Sequence, residues 1–303
     1  MIILINLFVF IYVSYFKRSQ SDYIAAVAEH NIYMGNEGDS KEYLLDINIQ
    51  LYENLTSLAK LNNAQVIVFP EFGLTPVNAE SREDLYPFLE VIPEVNPTIG
   101  LISPCLTPEK FSNSPILLRM SCAAKNNKIL TLINIIDKQD CFSDTDSNCP
   151  TDGHYQYNTD VLFDENGYIV AKYHKTHEWP PFKVAYDEPL TSSHISYVSS
   201  FGIEFGLFIC FDIMFEDPPK ILRQNGVKHF LYAVAQGDAG KTTIIEPWSE
   251  HNSAIVLASN LGAGLKKDCS EIIVNGTGVS SKKFYLQNKQ FKDENVLIGV
   301  VPS

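Results

Sequence analysis

The stretch at residues 205–212 reads FGLFICFD, and it decides how the chain folds. It is apolar up to its final aspartate, and an unbroken apolar run of this length is typical of a strand that is buried on both faces. Similar runs occur at residues 23–29, 65–71, 129–136 and 229–235. Buried strands need helices or a second sheet to cover them. The sequence therefore indicates an α/β fold.

Helices are predicted between these strands. Apolar residues recur at helical spacing within residues 40–61, and Asp39 or Ser40 can cap the start of that helix. Shorter helices are predicted at residues 115–126, at 218–224 and at the beginning of 250–260.

Hairpins are predicted as well. Asn166 and Gly167 form an Asn-Gly pair between two apolar runs, which is a strong signal for a tight turn. Hairpin strands are predicted at residues 159–164, at 168–174 and within 272–303. Residues 179–200 are rich in proline and are predicted to be irregular. Alternating helices and strands with added hairpins predict mixed sheets in one domain, residues 22–303.

The charge of the chain excludes two classes of partner. Its 303 residues include 23 Lys plus Arg against 36 Asp plus Glu, which gives a formal net charge of -13. Nucleic-acid binding takes most of its affinity from basic surfaces, so we expect no nucleic-acid partner. The sequence also has no polybasic stretch of the kind that holds an anionic membrane surface.

Residues 1–16 form an apolar segment that carries no charge. The segment is short for a membrane-spanning helix, which needs about 20 apolar residues, but it suits the core of a secretory signal peptide. We therefore predict a signal peptide at residues 1–21, a secreted protein, and no stable membrane anchor after cleavage of the leader. A signal anchor is the alternative, because no basic residue precedes the segment and Lys17 and Arg18 follow it.

Secretion changes how the six cysteines are interpreted, because most cysteines pair in an oxidising compartment. Cys141 and Cys149 flank a short polar loop, CFSDTDSNC, and are the first predicted pair. Cys105 and Cys122 flank a stretch that contains Pro and Ser, and are the second predicted pair. Cys269 has no assigned partner, so a free thiol and an intermolecular bridge are both open. Secretion also agrees with two predicted N-glycosylation sites, at Asn54 and Asn275.

Three reactive or ionisable residues lie at or near the ends of apolar strands. Glu71 ends VIVFPE, Lys175 ends IVAKYHK, and Cys210 lies within FGLFICFD. Taken singly, each has an ordinary explanation: a solvated loop acid, a surface charge and a buried core thiol. Together they form a nucleophilic set, because a glutamate can take the proton of a cysteine and a lysine can stabilise an oxyanion.

A metal site is a weaker interpretation of the same region. His154, His174 and His177 are close in sequence, but their spacing matches no zinc motif. We expect neither a metal nor an organic cofactor.

The three strand ends resemble the Glu-Lys-Cys triad of the nitrilase, or carbon–nitrogen hydrolase, superfamily. The closer similarity is to the branch that contains the vanins, or pantetheinases, and biotinidase. The matching segments are, in chain order, AAVAEH, VIVFPEFGL, SCAAKNN, CPTDGHYQYNTDVLFD, AKYHKTHEW and FGLFICFDIMFEDP. They fall within residues 25–218.

The resemblance implies an αββα sandwich with mixed sheets and an active site where the sheets meet. It implies a cysteine amidohydrolase that acts on a small-molecule amide without a metal or organic cofactor. In this role Cys210 attacks the carboxamide carbon, Glu71 is the base, and Lys175 and the backbone N–H of Phe211 hold the oxyanion. Glu188 is the candidate for a second acid that such sites place beside the lysine. The resemblance also supports the two predicted disulfides and cleavage of the leader near residues 17–22.

The same resemblance implies pantetheine as the substrate, cleaved to pantothenate and cysteamine, with biotin amides as the alternative. Three segments depart from the branch: THEWPPFKVAYDEP, at the expected substrate mouth, AVAQGDAGKTTII, residues 233–245, and LKKDCSEIIV, around Cys269. We also expect the second, β-rich domain of vanins to be absent. A non-catalytic secreted binding protein that kept the fold is the alternative function, and the intact triad argues against it.

Overall fold

The computed structural model describes residues 21–75, 79–96, 98, 100–236, 241–261, 269–287, 290–291 and 294–303. All but the last residue of the predicted leader lie outside this description, so the leader stays a prediction. Within the described ranges, no helix has both the length and the apolar composition needed to cross a bilayer.

Fourteen strands and four α-helices are found in the described residues. The strands are β1 (Tyr23–Glu29), β2 (Val66–Val68), β3 (Leu89–Glu90), β4 (Leu130–Asp140), β5 (His154–Phe163), β6 (Ile169–His174), β7 (Ser196–Val198), β8 (Glu204–Ile209), β9 (His229–Val234), β10 (Ile255–Asn260), β11 (Glu271–Val274), β12 (Thr277–Gly278), β13 (Ser281–Tyr285) and β14 (Asn295–Val301). The helices are α1 (Lys41–Leu61), α2 (Pro115–Asn127), α3 (Pro219–Gln224) and α4 (Glu246–Asn252). Helix α1 begins as predicted, because the Ser40 hydroxyl accepts a hydrogen bond from Tyr43 N–H at 3.2 Å.

The strands form two mixed sheets. The larger sheet has the order β13-β14-β1-β2-β4-β5-β6, with β3 paired to β4. Its central strands β1, β2 and β4 are parallel, and antiparallel partners extend it on both sides. The smaller sheet has the order β12-β11-β10-β9-β8-β7 and is parallel across β8, β9 and β10.

The two sheets pack face to face, and helices cover their outer faces. Along β1, Ala25 and Val27 belong to a buried cluster shared with β8, β9 and β10. The intervening Ala26 faces the other way and belongs to the cluster that contains the apolar faces of α1 and α2. Beyond the smaller sheet, Trp248 of α4 packs on Phe208, with ring centroids 5.3 Å apart. These layers confirm the αββα sandwich.

The strand predicted at residues 205–212 ends early, and this difference matters for function. Strand β8 stops at Ile209, and Cys210 begins a 3₁₀ turn, Cys210–Met214, with a backbone φ of 43°. The Asp212 carboxylate accepts a hydrogen bond from Ile209 N–H at 3.0 Å and so ends the strand. The apolar residues on both sides of Ile209 concealed this point in the sequence.

Other elements also differ from prediction. The strand expected at residues 159–164 begins earlier, at His154. The strand expected to end at residue 136 continues to Asp140, because β4 pairs with β5 as far as Asp140 opposite His154. The segment expected to be irregular, residues 179–200, contains β7 and a 3₁₀ turn at Pro180–Val184.

The structure contains both predicted disulfides. Cys105 is bonded to Cys122, which ties a 3₁₀ turn to α2, and Cys141 is bonded to Cys149, which closes the loop before β5. Cys269 is in neither bridge and its side chain is buried. A bridge from Cys269 to another molecule would therefore require the chain to open.

The two predicted glycosylation sites lie in different surroundings. Asn275 is exposed in the turn between β11 and β12. Asn54 is half-buried on α1, where its side chain donates to the Gln50 carbonyl at 2.7 Å, and Thr56 of the same sequon is buried. Glycosylation at either asparagine stays a prediction. Asn275 is the favoured site of the two, because it is exposed.

The β5–β6 hairpin gives a prediction about stability. Gly167 has a φ of 79°, and a Cβ atom there would lie 2.5 Å from the Ser121 carbonyl oxygen. Gly38 has a φ of 96° and nothing within 4 Å of such an atom. Gly38→Ala should cost about 1–2 kcal/mol for its left-handed backbone. Gly167→Ala should cost about 1–3 kcal/mol more, because the hairpin must move away from α2.

Urea denaturation of the two variants measures this difference. Gly38→Ala is the matched control, because it has the same backbone conformation without the close contact. Equal losses of unfolding free energy would show that the hairpin does not need the close approach to Ser121.

Candidate active site

A cavity of about 500 Å³ lies where the ends of β2, β6, β8 and β9 come together. Glu71, Lys175, Cys210 and Ala235 follow these four strands and line the cavity. Two of the strands belong to the larger sheet and two to the smaller one. The structure therefore brings the three predicted residues together at the place where the sheets meet.

Three buried charges stand on one side of the cavity. Lys175 Nζ lies 2.6 Å from Glu71 Oε1 and 3.2 Å from Glu178 Oε2. The side chains of all three residues are no more than 1% exposed. An ammonium group this deeply buried is costly unless opposite charges surround it, and the two carboxylates supply them.

The two carboxylates keep Lys175 charged. Burial alone would lower the pKa of Lys175, but the carboxylates of Glu178 and Glu71 outweigh burial and raise this pKa well above its ordinary value. Burial raises the pKa of Glu178 to about 7, although Lys175 acts in the opposite direction. Lys175 is thus a fixed cation at the wall of the cavity.

Cys210 is the candidate nucleophile, and it rests as a thiol. Burial raises the pKa of this thiol well above its ordinary value and the Glu71 carboxylate raises it further, while Lys175 and a backbone hydrogen bond from Ala235 lower it. A thiol with a raised pKa needs a base during attack, and Glu71 is in place to act as that base.

The acid beside the lysine is Glu178, so the prediction of Glu188 for that place is wrong. Glu188 Oε2 lies 2.9 Å from Lys183 Nζ near the surface, and its Oε1 accepts a hydrogen bond from the backbone N–H of Glu178 at 2.8 Å. Glu188 therefore holds the backbone of Glu178 in place through this hydrogen bond. The turn at Pro180–Val184 causes this arrangement, because it folds Glu188 back toward the end of β6.

Two asparagines position Glu71. Asn158 Nδ2 donates to Glu71 Oε1 at 2.8 Å, and Asn134 Nδ2 donates to Asn158 Oδ1 at 2.8 Å. Asn134 Oδ1 also accepts from Phe72 N–H at 3.0 Å, so it anchors the backbone that follows the glutamate. The side chain and the backbone of the candidate base are held by the same small network.

The turn that carries Cys210 is held from three sides. A non-glycine residue in the left-handed region costs about 1–3 kcal/mol and persists only where its surroundings impose it. The Cys210 carbonyl accepts from Tyr232 Oη at 2.7 Å. Behind the turn, Asp212 accepts from Tyr173 Oη at 2.7 Å and from His177 N–H at 2.9 Å. These bonds fix the direction in which the nucleophile points.

Phe211 follows the nucleophile and lines the cavity. It is the second residue of the turn Cys210–Met214, and the bonding pattern of a 3₁₀ turn gives its N–H no acceptor within the turn. This position is compatible with an oxyanion donor, and that role stays a prediction.

The described residues contain no group of three or more His, Cys, Asp or Glu side chains arranged to hold a metal ion. The histidines noted in the sequence serve other contacts. His174 hydrogen-bonds to Asp137 at 2.8 Å, and His177 hydrogen-bonds to Asp212 at 3.1 Å. Metal-independent chemistry stays a prediction.

Sequence reasoning missed the residues that support the triad. Of the missed residues, Glu178 had the clearest signal in the sequence, because it lies three residues after Lys175 in the segment THEW. Asn134 was visible as a single amide within an apolar strand sequence, where a buried polar group needs a partner, whereas Asn158 lies among the other polar residues of β5. Nothing in the sequence indicated Tyr232, whose hydrogen bond depends on the pairing of β8 with β9.

A family model described as Carbon-nitrogen hydrolase matches residues 24–259. Biotinidase of Bos taurus is 38% identical over 222 residues, which cover 71% of this chain and 41% of that protein. Biotinidase of Takifugu rubripes is 32% identical over 293 residues, or 93% of this chain and 57% of that protein. Pantetheinase of Bos taurus is 36% identical over 260 residues, which cover 82% of this chain and 50% of that protein. The chain spans about half the length of these relatives.

Solved structures support the fold. A mutant of the Nesterenkonia AN1 amidase from the nitrilase superfamily aligns with a TM-score of 0.64 and 16% identity, over 94% of this chain and 92% of that one. A mutant of the same amidase in complex with butyramide aligns with a TM-score of 0.62 and 17% identity, over 93% and 92% of the two chains.

Proposed function

Because the chain belongs to the carbon–nitrogen hydrolase family, we propose that it hydrolyses a linear carboxamide through a thioester on Cys210. One observation carries the proposal. Lys175 Nζ contacts Glu71 Oε1 at 2.6 Å in a buried site, and both residues line the same cavity as Cys210. A base, a cation and a nucleophile are the groups that acyl transfer through a cysteine needs.

In the first half of the proposed reaction, Cys210 Sγ attacks the carbonyl carbon and Glu71 takes the thiol proton. Lys175 and the backbone N–H of Phe211 stabilise the negatively charged oxygen of the tetrahedral species. The C–N bond then breaks. The amine leaves with the proton that Glu71 returns to it, and the acyl group remains on Cys210 as a thioester.

In the second half, a water molecule attacks the thioester carbon and gives a proton to Glu71. The C–S bond breaks, the carboxylic acid leaves, and the proton returns to Cys210. The net change is one amide and one water converted to one acid and one amine. These steps use only residues of this chain and no cofactor.

The substrate that we propose first is pantetheine, which would give pantothenate and cysteamine. Biotin amides are the second candidate. The names of the relatives, pantetheinase and biotinidase, support both. A non-catalytic binding protein is the competing function, and the buried charges argue against it, because they are costly to a fold that does not use them.

We propose that the protein is secreted. The uncharged segment at residues 1–16 supports this localisation. The two disulfides support it as well, because such bridges persist mainly in oxidising compartments.

A panel of amides tests the function: pantetheine, biocytin and short aliphatic amides, each assayed for released amine. We expect turnover of pantetheine above that of the others, and none by Cys210→Ala, because loss of the sulfur removes the covalent route. The variant should fold, which circular dichroism checks, since only one atom is deleted. Turnover by Cys210→Ala near that of the unchanged protein would place the chemistry elsewhere.

The two acids near the lysine give a second prediction. Glu178→Gln should lower kcat about 10-fold or more with KM nearly unchanged, because it removes a charge that stabilises the Lys175 ammonium in the transition state. Since Glu178 raises the pKa of Lys175, the alkaline limb of the kcat profile should also move to lower pH.

Glu188→Gln is the matched control, because it keeps an oxygen that accepts from Glu178 N–H and loses only a charge near the surface. We expect kcat of this variant to stay within about 2-fold of the unchanged protein. If the two variants lose kcat equally, Glu178 has no special part in holding the lysine.

A further inference from the structure

Gln236 is a residue of the cavity wall that the proposed reaction does not use. Its backbone N–H donates to Asn260 Oδ1 at 3.0 Å, which fixes where the residue stands. Gln236 lines the cavity, and its side-chain oxygen Oε1 is buried and has no hydrogen-bond partner. Buried amide oxygens are rarely left unpaired in proteins, so each such atom needs an explanation.

The position of Gln236 relates this amide to the nucleophile. Gln236 directly follows Ala235. Ala235 and Cys210 come just after the paired strands β9 and β8, in which Ile209 lies opposite Ala233, and both line the cavity. Consecutive residues are about 3.8 Å apart, so the Gln236 side chain leaves the backbone very close to the place where the scissile bond must lie. A substrate group within a few bonds of the scissile carbonyl would therefore meet it.

Apart from Thr243, the rest of the described wall offers a substrate little polar contact. Aromatic rings dominate it: Phe72, Trp179, Phe182 and Phe211 all line the cavity. Glu71 and Lys175 are the only charged side chains among the described lining residues, and both are engaged with each other. In such surroundings a single amide discriminates strongly between substrates that pair with it and substrates that do not.

We propose that Gln236 selects substrates that carry a neutral hydrogen-bond donor, the N–H of a second amide, two carbons from the scissile carbonyl. This inference rests on the proposed function and deepens it. Pantetheine has an amide N–H at that distance on its acyl side. The acyl group of a biotin amide has only methylene groups next to its carbonyl, so it would leave the Gln236 oxygen unpaired.

Two substrates of equal length test the proposal. N-acetyl-β-alanyl and hexanoyl amides of 2-(methylthio)ethylamine have the same number of chain atoms, and only the first has the second amide. The amine released from each is measured with a fluorogenic reagent. We expect kcat/KM of the unchanged protein to favour the first about 10-fold or more, which corresponds to one hydrogen bond to a group otherwise left unpaired.

Gln236→Met keeps the length of the side chain and removes its amide, so the ratio of the two kcat/KM values should fall toward one. Gln224→Met, on the exposed face of α3, is the matched control and should keep the ratio. Inhibition of the unchanged protein by N-acetyl-β-alanine and by hexanoate repeats the comparison without any variant. N-acetyl-β-alanine should bind more tightly than hexanoate.

Equal use of the two amides by the unchanged protein would overturn the proposal, and so would a ratio that survives in Gln236→Met. These outcomes differ from failure of the proposed function, in which the unchanged protein would hydrolyse neither amide.

Discussion

The structure depends on one costly arrangement: a lysine ammonium held out of water between two carboxylates. Lys175 lies between Glu71 and Glu178, and all three are almost fully buried. Such a group is stable only if every charge keeps its partners, because the loss of one leaves an uncompensated charge in a medium of low polarity. Asn158 donates a hydrogen bond to the Glu71 carboxylate, and Glu188 accepts one from the backbone N–H of Glu178, which holds that residue beside Lys175.

The sandwich fold explains how these charges can be placed with so little freedom. Each member of the triad follows a strand of a sheet that is buried on both faces, so the backbone before it cannot move. The two sheets face one another, and the residues beyond their strand ends meet in one cavity. Chemistry that needs a fixed cation and a fixed base can therefore be built on short connections without a metal ion to order them.

Much of this could be predicted from the sequence, and the failures have physical causes. Apolar runs identified the buried strands, and the residues at their ends identified Glu71, Lys175 and Cys210. The sequence could not show that β8 ends at Ile209, because that end is set by a hydrogen bond to Asp212 within apolar sequence. Nor could spacing choose between acids after the lysine, because the path of the chain through the turn at 180–184 decides which of them returns to it.

The central claim is that the acyl group passes through Cys210, and trapping that intermediate tests the claim most directly. The protein is mixed with the best amide of the panel, quenched with acid within milliseconds to seconds, and analysed by mass spectrometry as intact protein and as peptides. The account predicts a mass increase equal to the acyl group, located on the peptide that contains Cys210 and released by hydroxylamine. Steady release of amine while that peptide stays unmodified at every quench time, or an acyl group on another residue, would contradict it.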